Sequence, residues 1–517
     1  MTMSRRSFLR GSSGSLAFAA AATTLSRWVG EAEAATLAGY AGYRAAVCVF
    51  LAGGNDGNNV LVPTETKTDG KGALDHYRRV RPNIAIDPSQ NLINPVGLAA
   101  GSYGLHPALA KLKGHFEANR AALVCNVGPL VRPTNKALYG TPGHDRPYNL
   151  FSHSDQQDAW ASAIANPLQI TLPAALIGKG PTGWGGRMAD KITSLNTAAA
   201  GYPEVTTFGG RGLFANGASR KPLVVSSGGT QAFNSSGDAN LNALRQSTLG
   251  VIMPITGGVT LEKAYGSVFT TASTYAGKRD AARTAAWAAL SQPTRDAIDA
   301  LFTTGVQTGW TLPGQLYQVI RDLVAGATAA PTGVGLKREV FSVGFGSFDT
   351  HADQDVDQAK KLAELDFALD AFQRAMDLLA TAMGPNGPQA TLFTMSDFGR
   401  TLQENSDKGT DHAWGSHMIV LGRQVDGKKL YGRFPNLDLT GGGAGNPDTV
   451  DGKGRFIPAV SVEQYANTIA TWLGLTLSSE RAYLFPNLAG YVAAAADTTV
   501  WPALARSYRL GFMLADA

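Results

Sequence analysis

Apolar residues run without a break from Ala45 to Leu51 and stop at Gly53-Gly54-Asn55-Asp56-Gly57. A stretch apolar on both faces suits an interior strand of a parallel sheet, covered above and below by helices. The pattern returns at Ala121–Val127, Val340–Phe345 and Ala390–Met395, with a further apolar strand predicted at Met418–Leu421. From about Asp355 the period changes. Leu362, Leu365, Leu369, Phe372, Met376, Leu379 and Met383 recur three and four apart, which is one apolar helix face. Strands alternating with amphipathic helices predict an α/β fold with a mostly parallel sheet. Residues 241–330 read differently, alanine- and threonine-rich and mainly helical, and are expected to form an insertion over the core. Gly441-Gly442-Gly443-Ala444-Gly445 predicts an exposed connection.

The N-terminus does not belong to that fold. Ser4-Arg5-Arg6-Ser7-Phe8-Leu9 is a near-complete twin-arginine signature. An apolar stretch from Leu16 to Leu25 and the small-x-small triplet Ala32-Glu33-Ala34 follow in the order a signal peptide requires. The apolar run falls short of the roughly 20 residues needed to span a bilayer. Residues 1–34 therefore read as a signal peptide, with the twin-arginine translocase as the export partner and the periplasm or the exterior as destination. Residues 35–517 form the mature chain, with no stable membrane span expected. The net charge of +5 includes +2 from the signal, since Arg5, Arg6, Arg10 and Arg27 outnumber Glu31 and Glu33 by two, leaving +3. That balance gives no case for nucleic acid. Cys48 and Cys125 each sit in a strand-like apolar run and read as free, buried thiols, although the periplasm permits a disulfide.

In open α/β sheets, functional groups gather past the carboxyl ends of the strands. Three of the apolar runs end in acidic residues or Asp/His pairs: Asn55-Asp56, then Phe348-Asp349-Thr350-His351, then Ser396-Asp397-Phe398-Gly399-Arg400. Asp411-His412 and His417 come shortly before or within the strand that begins near Met418. Carboxylates beside neutral imidazoles are the donors a divalent cation takes. Each motif also has a plain structural use: Asp56 can hold a tight turn, Asp349 can cap a helix, and Asp397 or Asp411 can pair with Arg400 or Lys408. Their joint placement at successive strand ends favours one shared polar site. A further polar cluster, Phe151-Ser152-His153-Ser154-Asp155-Gln156-Gln157-Asp158, opens a helix running through Trp160. Ser152 with Asp155 resembles a capping-box variant, and the same position can also present a hydroxyl nucleophile. Gly183-Trp184-Gly185-Gly186-Arg187 is a turn into a helix whose arginine matters only beside an oxyanion.

As an ordered series, these motifs resemble the exported bacterial family known as domain of unknown function 1501, a branch of the alkaline phosphatase and sulfatase-like superfamily. The resemblance runs from the twin-arginine start to about residue 425. It implies a doubly wound α/β/α sandwich with a metal site at the strand ends. Asp56 would be the first-strand metal carboxylate, Asp349 and His351 would serve one metal, and Asp397 the other. His412 would be the late histidine ligand, with Asp411 as a substitute and His417 as a competitor. Ser152 would stand at the nucleophile position, and Arg187 or Arg400 would hold the oxyanion. The metal would be Zn, Mn, Mg or Ca. One departure stands out: where active superfamily members usually carry Asp-His-Gly, Asp397 is followed by Phe398, which cannot ligate.

Two functions follow. The first is a metal-dependent hydrolase of small anionic phosphate or sulfate esters. The second is a non-catalytic binding or assembly protein that keeps the fold, which Phe398 favours. A serine hydrolase ranks behind both because no Gly-x-Ser-x-Gly elbow occurs.

Overall fold

The computed structural model describes residues 42–196, 202–209, 212–226, 238–252, 260–496 and 502–514. The signal segment expected at residues 1–34 lies outside them. The strands of the central sheet are β1 (Arg44–Leu51), β2 (Ala121–Gly128), β3 (Val205–Thr207), β4 (Leu223–Val224), β5 (Arg338–Phe345), β6 (Gln389–Ser396), β7 (Ser416–Gly422), β8 (Leu430–Gly432) and β9 (Val460–Ser461). They lie in the order β8-β2-β7-β6-β1-β5-β3-β4, with β9 beside β2. Only β7 runs against the rest, antiparallel to both β2 and β6. The sheet is otherwise parallel, so the fold is mixed α/β with a largely parallel sheet, as the apolar runs predict.

The uninterrupted apolar runs are explained by two cores, one on each face. Alternate residues of each strand point opposite ways. Val47, Val49, Leu123, Phe341, Leu392 and Leu421 enter one core, whereas Cys48, Val124, Val340, Phe393 and Val420 enter the other. The first is closed by α5 (Leu312–Ala327) and α6 (Gln354–Met383), through side chains such as Leu316, Ile320, Leu369 and Phe372. The second is closed by α2 (Trp184–Ile192) and α7 (Val462–Trp472), through Met188, Ile192, Tyr465 and Ile469. The helical stretch at 241–330 comprises Ala239–Ile252, α3 (Thr260–Ala289), α4 (Gln292–Thr303) and α5. Its last member, α5, is a layer helix whose Leu316, Val319, Ile320 and Leu323 are fully buried in the first core. No helix among the described residues is long and apolar enough to cross a membrane. Cys48 and Cys125 are free and buried, on β1 and β2, with β6 and β7 between those strands.

This topology collects the polar motifs. β1 lies between β5 and β6 in parallel register, with Leu51 opposite both Phe345 and Ser396. The segments after the three strands therefore leave the sheet side by side. Because β7 is reversed, the residues that precede it, 411–415, arrive at the same edge. Helix α1 (His153–Ser162) brings its N-terminus there from β2.

Candidate metal centre

Backbone conformation fixes the floor of the site. Gly53 and Gly54 follow β1 with φ of +110° and +79°, and a Cβ on Gly53 would lie 2.6 Å from the Asp349 backbone nitrogen. The loops after β1 and β5 therefore touch at this point, and only glycine allows it. Residues 399–401 pair antiparallel with 411–414, including an Arg400–His412 bridge, which sets His412 against the end of β6.

Four side chains converge. His153 Nε2 lies 3.1 Å from His412 Nε2 and 3.4 Å from Asp349 Oδ2. His412 Nε2 lies 3.4 Å from Asp349 Oδ1. His351 Nε2 lies 3.0 Å from His412 Nε2 and 3.1 Å from Asp349 Oδ1. A cation bound tetrahedrally at about 2.0–2.1 Å has ligand–ligand edges of about 3.3–3.4 Å. The observed spacings approach that figure.

The tautomers sharpen the point. His153 Nδ1 is 2.6 Å from Asp397 Oδ2, and His412 Nδ1 is 2.9 Å from the Phe151 carbonyl. Both partners only accept hydrogen bonds, so each imidazole carries its proton on Nδ1. Each Nε2 then presents a lone pair toward the other. Two lone pairs facing at 3.1 Å repel unless a cation, or a proton on one of the two nitrogens, lies between them. Burial pulls the pKa of His412 below its ordinary value, against the hydrogen bond to Phe151 and with the help of the nearby Arg400 charge, which disfavours a proton on its Nε2. His153, Asp349 and His412 are thus a set fit for a metal ion, with His351 at its rim.

The other residues support this set. Asp397 is fully buried, and besides His153 it accepts from Gln157 Nε2 at 2.9 Å and from the Gly53 N–H at 3.1 Å. It orients His153, as carboxylates commonly do behind metal-bound histidines. Arg400 is buried and donates to the carbonyls of Gly53, Gly54 and Thr410 and to Asp349 Oδ1. Burial raises Asp349's carboxyl, but the Arg400 hydrogen bond and charge outweigh that and hold it below the ordinary value. Phe398 is fully buried beneath the histidines, its ring 4.7 Å from those of both His153 and His412. It is an apolar platform for the two imidazoles.

Several expected roles are corrected. Asp56 is buried with both oxygens occupied: Arg81 takes it bidentately at 2.6 and 3.1 Å, Gln354 donates at 2.6 Å, and the Asn58 N–H donates at 3.1 Å. A carboxylate has about four acceptor positions. Asp56 has none left for a cation. Asp397 stands one shell behind the centre rather than in it. His417 is buried on β7, stacked on Phe434 at 5.0 Å, and its Nδ1 accepts from the Asn126 N–H, so it lies away from the cluster. Asp411 binds Lys453 at 2.9 Å and lies 3.8 Å from His351 Nδ1, behind that ring. Arg187 is fully buried and spends its donors on the carbonyls of Ser162, Leu484 and Thr182, closing two helix C-termini, so no oxyanion can reach it. Arg400 places its donors on the carbonyls of Gly53, Gly54 and Thr410 and on Asp349, so it holds that carboxylate rather than a substrate. Ser152 is the N-cap residue of α1, but its hydroxyl caps nothing and donates to Asp155 Oδ2 at 2.6 Å.

His153 is the residue for which sequence supplies a neighbour instead: the polar Ser-His-Ser-Asp start draws attention to Ser152, and the structure puts its successor at the centre. Arg81 and Gln354 carry no local motif that marks them, and Gln157 is marked only as a member of the polar helix start.

Residues 323–441 match the family model described as Protein of unknown function (DUF1501). The DUF1501 segment includes β5 to β8 and thus Asp349, His351, Asp397, Arg400 and His412, while His153 and Asp56 lie outside it. No curated protein matches the chain.

Proposed function

We propose that this chain is an exported metal-dependent hydrolase of phosphate or sulfate esters, built on an alkaline phosphatase-like α/β/α sandwich. The observation that carries the reading is the pair of Nε2 lone pairs of His153 and His412 facing one point beside Asp349. A divalent cation there would supply Lewis acidity toward the ester oxygens. The chain's own residues supply the rest. Asp397 and the Phe151 carbonyl hold the two imidazoles in the ligating tautomer, and Arg400 fixes Asp349. Ser152, one residue before His153 at the start of a ten-residue helix, attacks phosphorus or sulfur while its proton passes to Asp155. The ester bond to the alcohol breaks as the leaving oxygen takes that proton from Asp155, and water then cleaves the seryl ester, returning one proton to Ser152 and releasing the acid. A cleft of about 560 Å³ opens beside the centre, lined by His351, Gln403, Glu404, Asn405, Asp407 and Lys453 among others. With polar side chains around it, the cleft fits a hydrophilic alcohol better than an aryl or acyl group.

The second reading, a metal-binding protein without turnover, draws on Asp56 being neutralised by Arg81 and on Phe398 standing where a ligand is usual. One experiment separates them: elemental analysis of the purified protein, then hydrolysis of phosphate and sulfate ester panels with Zn²⁺, Mn²⁺, Mg²⁺ or Ca²⁺. Turnover lost in Ser152→Ala and Asp349→Asn supports the hydrolase. Metal retained with no turnover supports the binding protein. A chain that takes up no metal refutes both.

A further inference from the structure

We infer that Arg455 is a positioning residue of the metal centre, acting on His412 through both ends of the His412–Phe151 hydrogen bond. The inference rests on the metal reading above but has its own test. His412 ligates only if its proton stays on Nδ1, and the acceptor that keeps it there is the Phe151 carbonyl at 2.9 Å. That carbonyl stands on a strained residue. Phe151 has φ of +80°, in the left-handed region that a bulky residue seldom occupies, and Asn149 shortly before it has φ of +41°. Such a conformation costs on the order of 1–3 kcal/mol and persists only where surroundings impose it.

Arg455 packs against both residues of that hydrogen bond. It comes from a separate loop, outside the segment that matches the family model. Its Nε donates to the His412 carbonyl at 2.7 Å, and its guanidinium lies over the Phe151 ring at 5.0 Å from the centroid. Nη1 is held by Asp451 Oδ2 across one turn of the same loop, which aims the side chain before it meets either partner. One planar group therefore fixes the backbone of the imidazole's residue and the ring of the residue that accepts from it. A lysine has neither the fork nor the plane to do both.

The test compares Arg455→Met and Arg455→Lys with wild type and with Arg433→Met. The last removes an arginine paired to Asp448 at 2.7 Å elsewhere in the C-terminal region, with no contact to the centre. The first readout is Zn²⁺ or Co²⁺ affinity. Losing support behind a metal-bound histidine costs roughly 10–100-fold in affinity; that loss is expected for Arg455→Met, a smaller one for Arg455→Lys, and none for Arg433→Met. The second readout is the His412 tautomer, read from ¹⁵N ring shifts in metal-free protein. A single Nδ1–H form is expected in wild type and a mixture in Arg455→Met, an effect that general loss of stability does not produce. Wild-type affinity and an unchanged tautomer in Arg455→Met overturn the inference. If wild type binds no metal, the metal reading fails, and the tautomer experiment alone decides the role of Arg455. Should Arg455→Met not fold, Arg455→Lys carries both readouts.

Discussion

Replacing Asp397 by asparagine changes one atom and removes one charge at the point on which His153 depends. The native carboxylate is fully buried and accepts from three donors: His153 Nδ1 at 2.6 Å, Gln157 Nε2 at 2.9 Å, and the Gly53 N–H at 3.1–3.2 Å from both oxygens. Asparagine keeps one acceptor and turns the other oxygen into a donor. If its carbonyl stays with His153 and Gln157, its NH₂ faces the Gly53 N–H, donor against donor. If it flips, His153 must accept at Nδ1 and move its proton to Nε2, and the ligating lone pair is lost. Hydrogen bonds to a charged group contribute about 1.5–3 kcal/mol each, so losing one and weakening the others should destabilise the fold by about 2–3 kcal/mol. The tautomer penalty should weaken metal binding roughly 10–100-fold, as for other residues behind metal ligands. Urea unfolding and metal titration of Asp397→Asn measure the two effects. Wild-type metal affinity in a variant that folds would show that Asp397 does not set the His153 tautomer, and the argument for the centre would lose its main support.

Other consequences are simpler. Gly54→Ala places a Cβ 2.5 Å from the Phe398 ring at a φ of +79°; it should destabilise the protein by about 2–4 kcal/mol and displace the platform under both histidines, seen in chemical denaturation. Glu463 is buried on α7, and burial pushes its pKa up to about 7. Its folded pKa lies above the unfolded value of about 4.5, so its contribution is complete below pH 4.5 and is lost as pH rises through about 7. Glu463→Gln should therefore flatten the fall in stability across that window and gain up to about 3 kcal/mol above it, measured by melting at several pH values. Cys48 and Cys125 are buried, and burial pushes both thiols up, Cys125 to about 12. Neither should react with a thiol reagent until the chain is unfolded, and fast labelling of folded protein would contradict the buried placement.

Much of the fold was legible because burial on both faces writes a plain signal. Ala45–Leu51, Ala121–Val127, Val340–Phe345 and Ala390–Met395 all became interior strands, and Leu362–Met383 became the covering face of α6. The reversal of β7 was not legible, since strand direction leaves no mark in the short apolar run Met418–Leu421. The site was legible as a neighbourhood and less so as a set of roles. Strand-end reasoning brought Asp349, His351, Asp397 and His412 together. It could not foresee that Arg81, just past the short helix Ala73–Val80, saturates Asp56, because pairing of buried charges is decided by tertiary packing rather than by a local pattern. His153 carries its signal one position from where the capping pattern directs attention, and Arg187 looks like an anion clamp until the carbonyls it closes are in view.

The most direct test is anomalous diffraction from crystals of the protein grown with Zn²⁺. The account predicts a single strong peak about 2.0–2.2 Å from His153 Nε2, His412 Nε2 and an Asp349 oxygen, and its disappearance in His412→Ala. A peak absent from that point, or lying instead among Asp411, Glu404 and Asp407 in the neighbouring cleft, would contradict it.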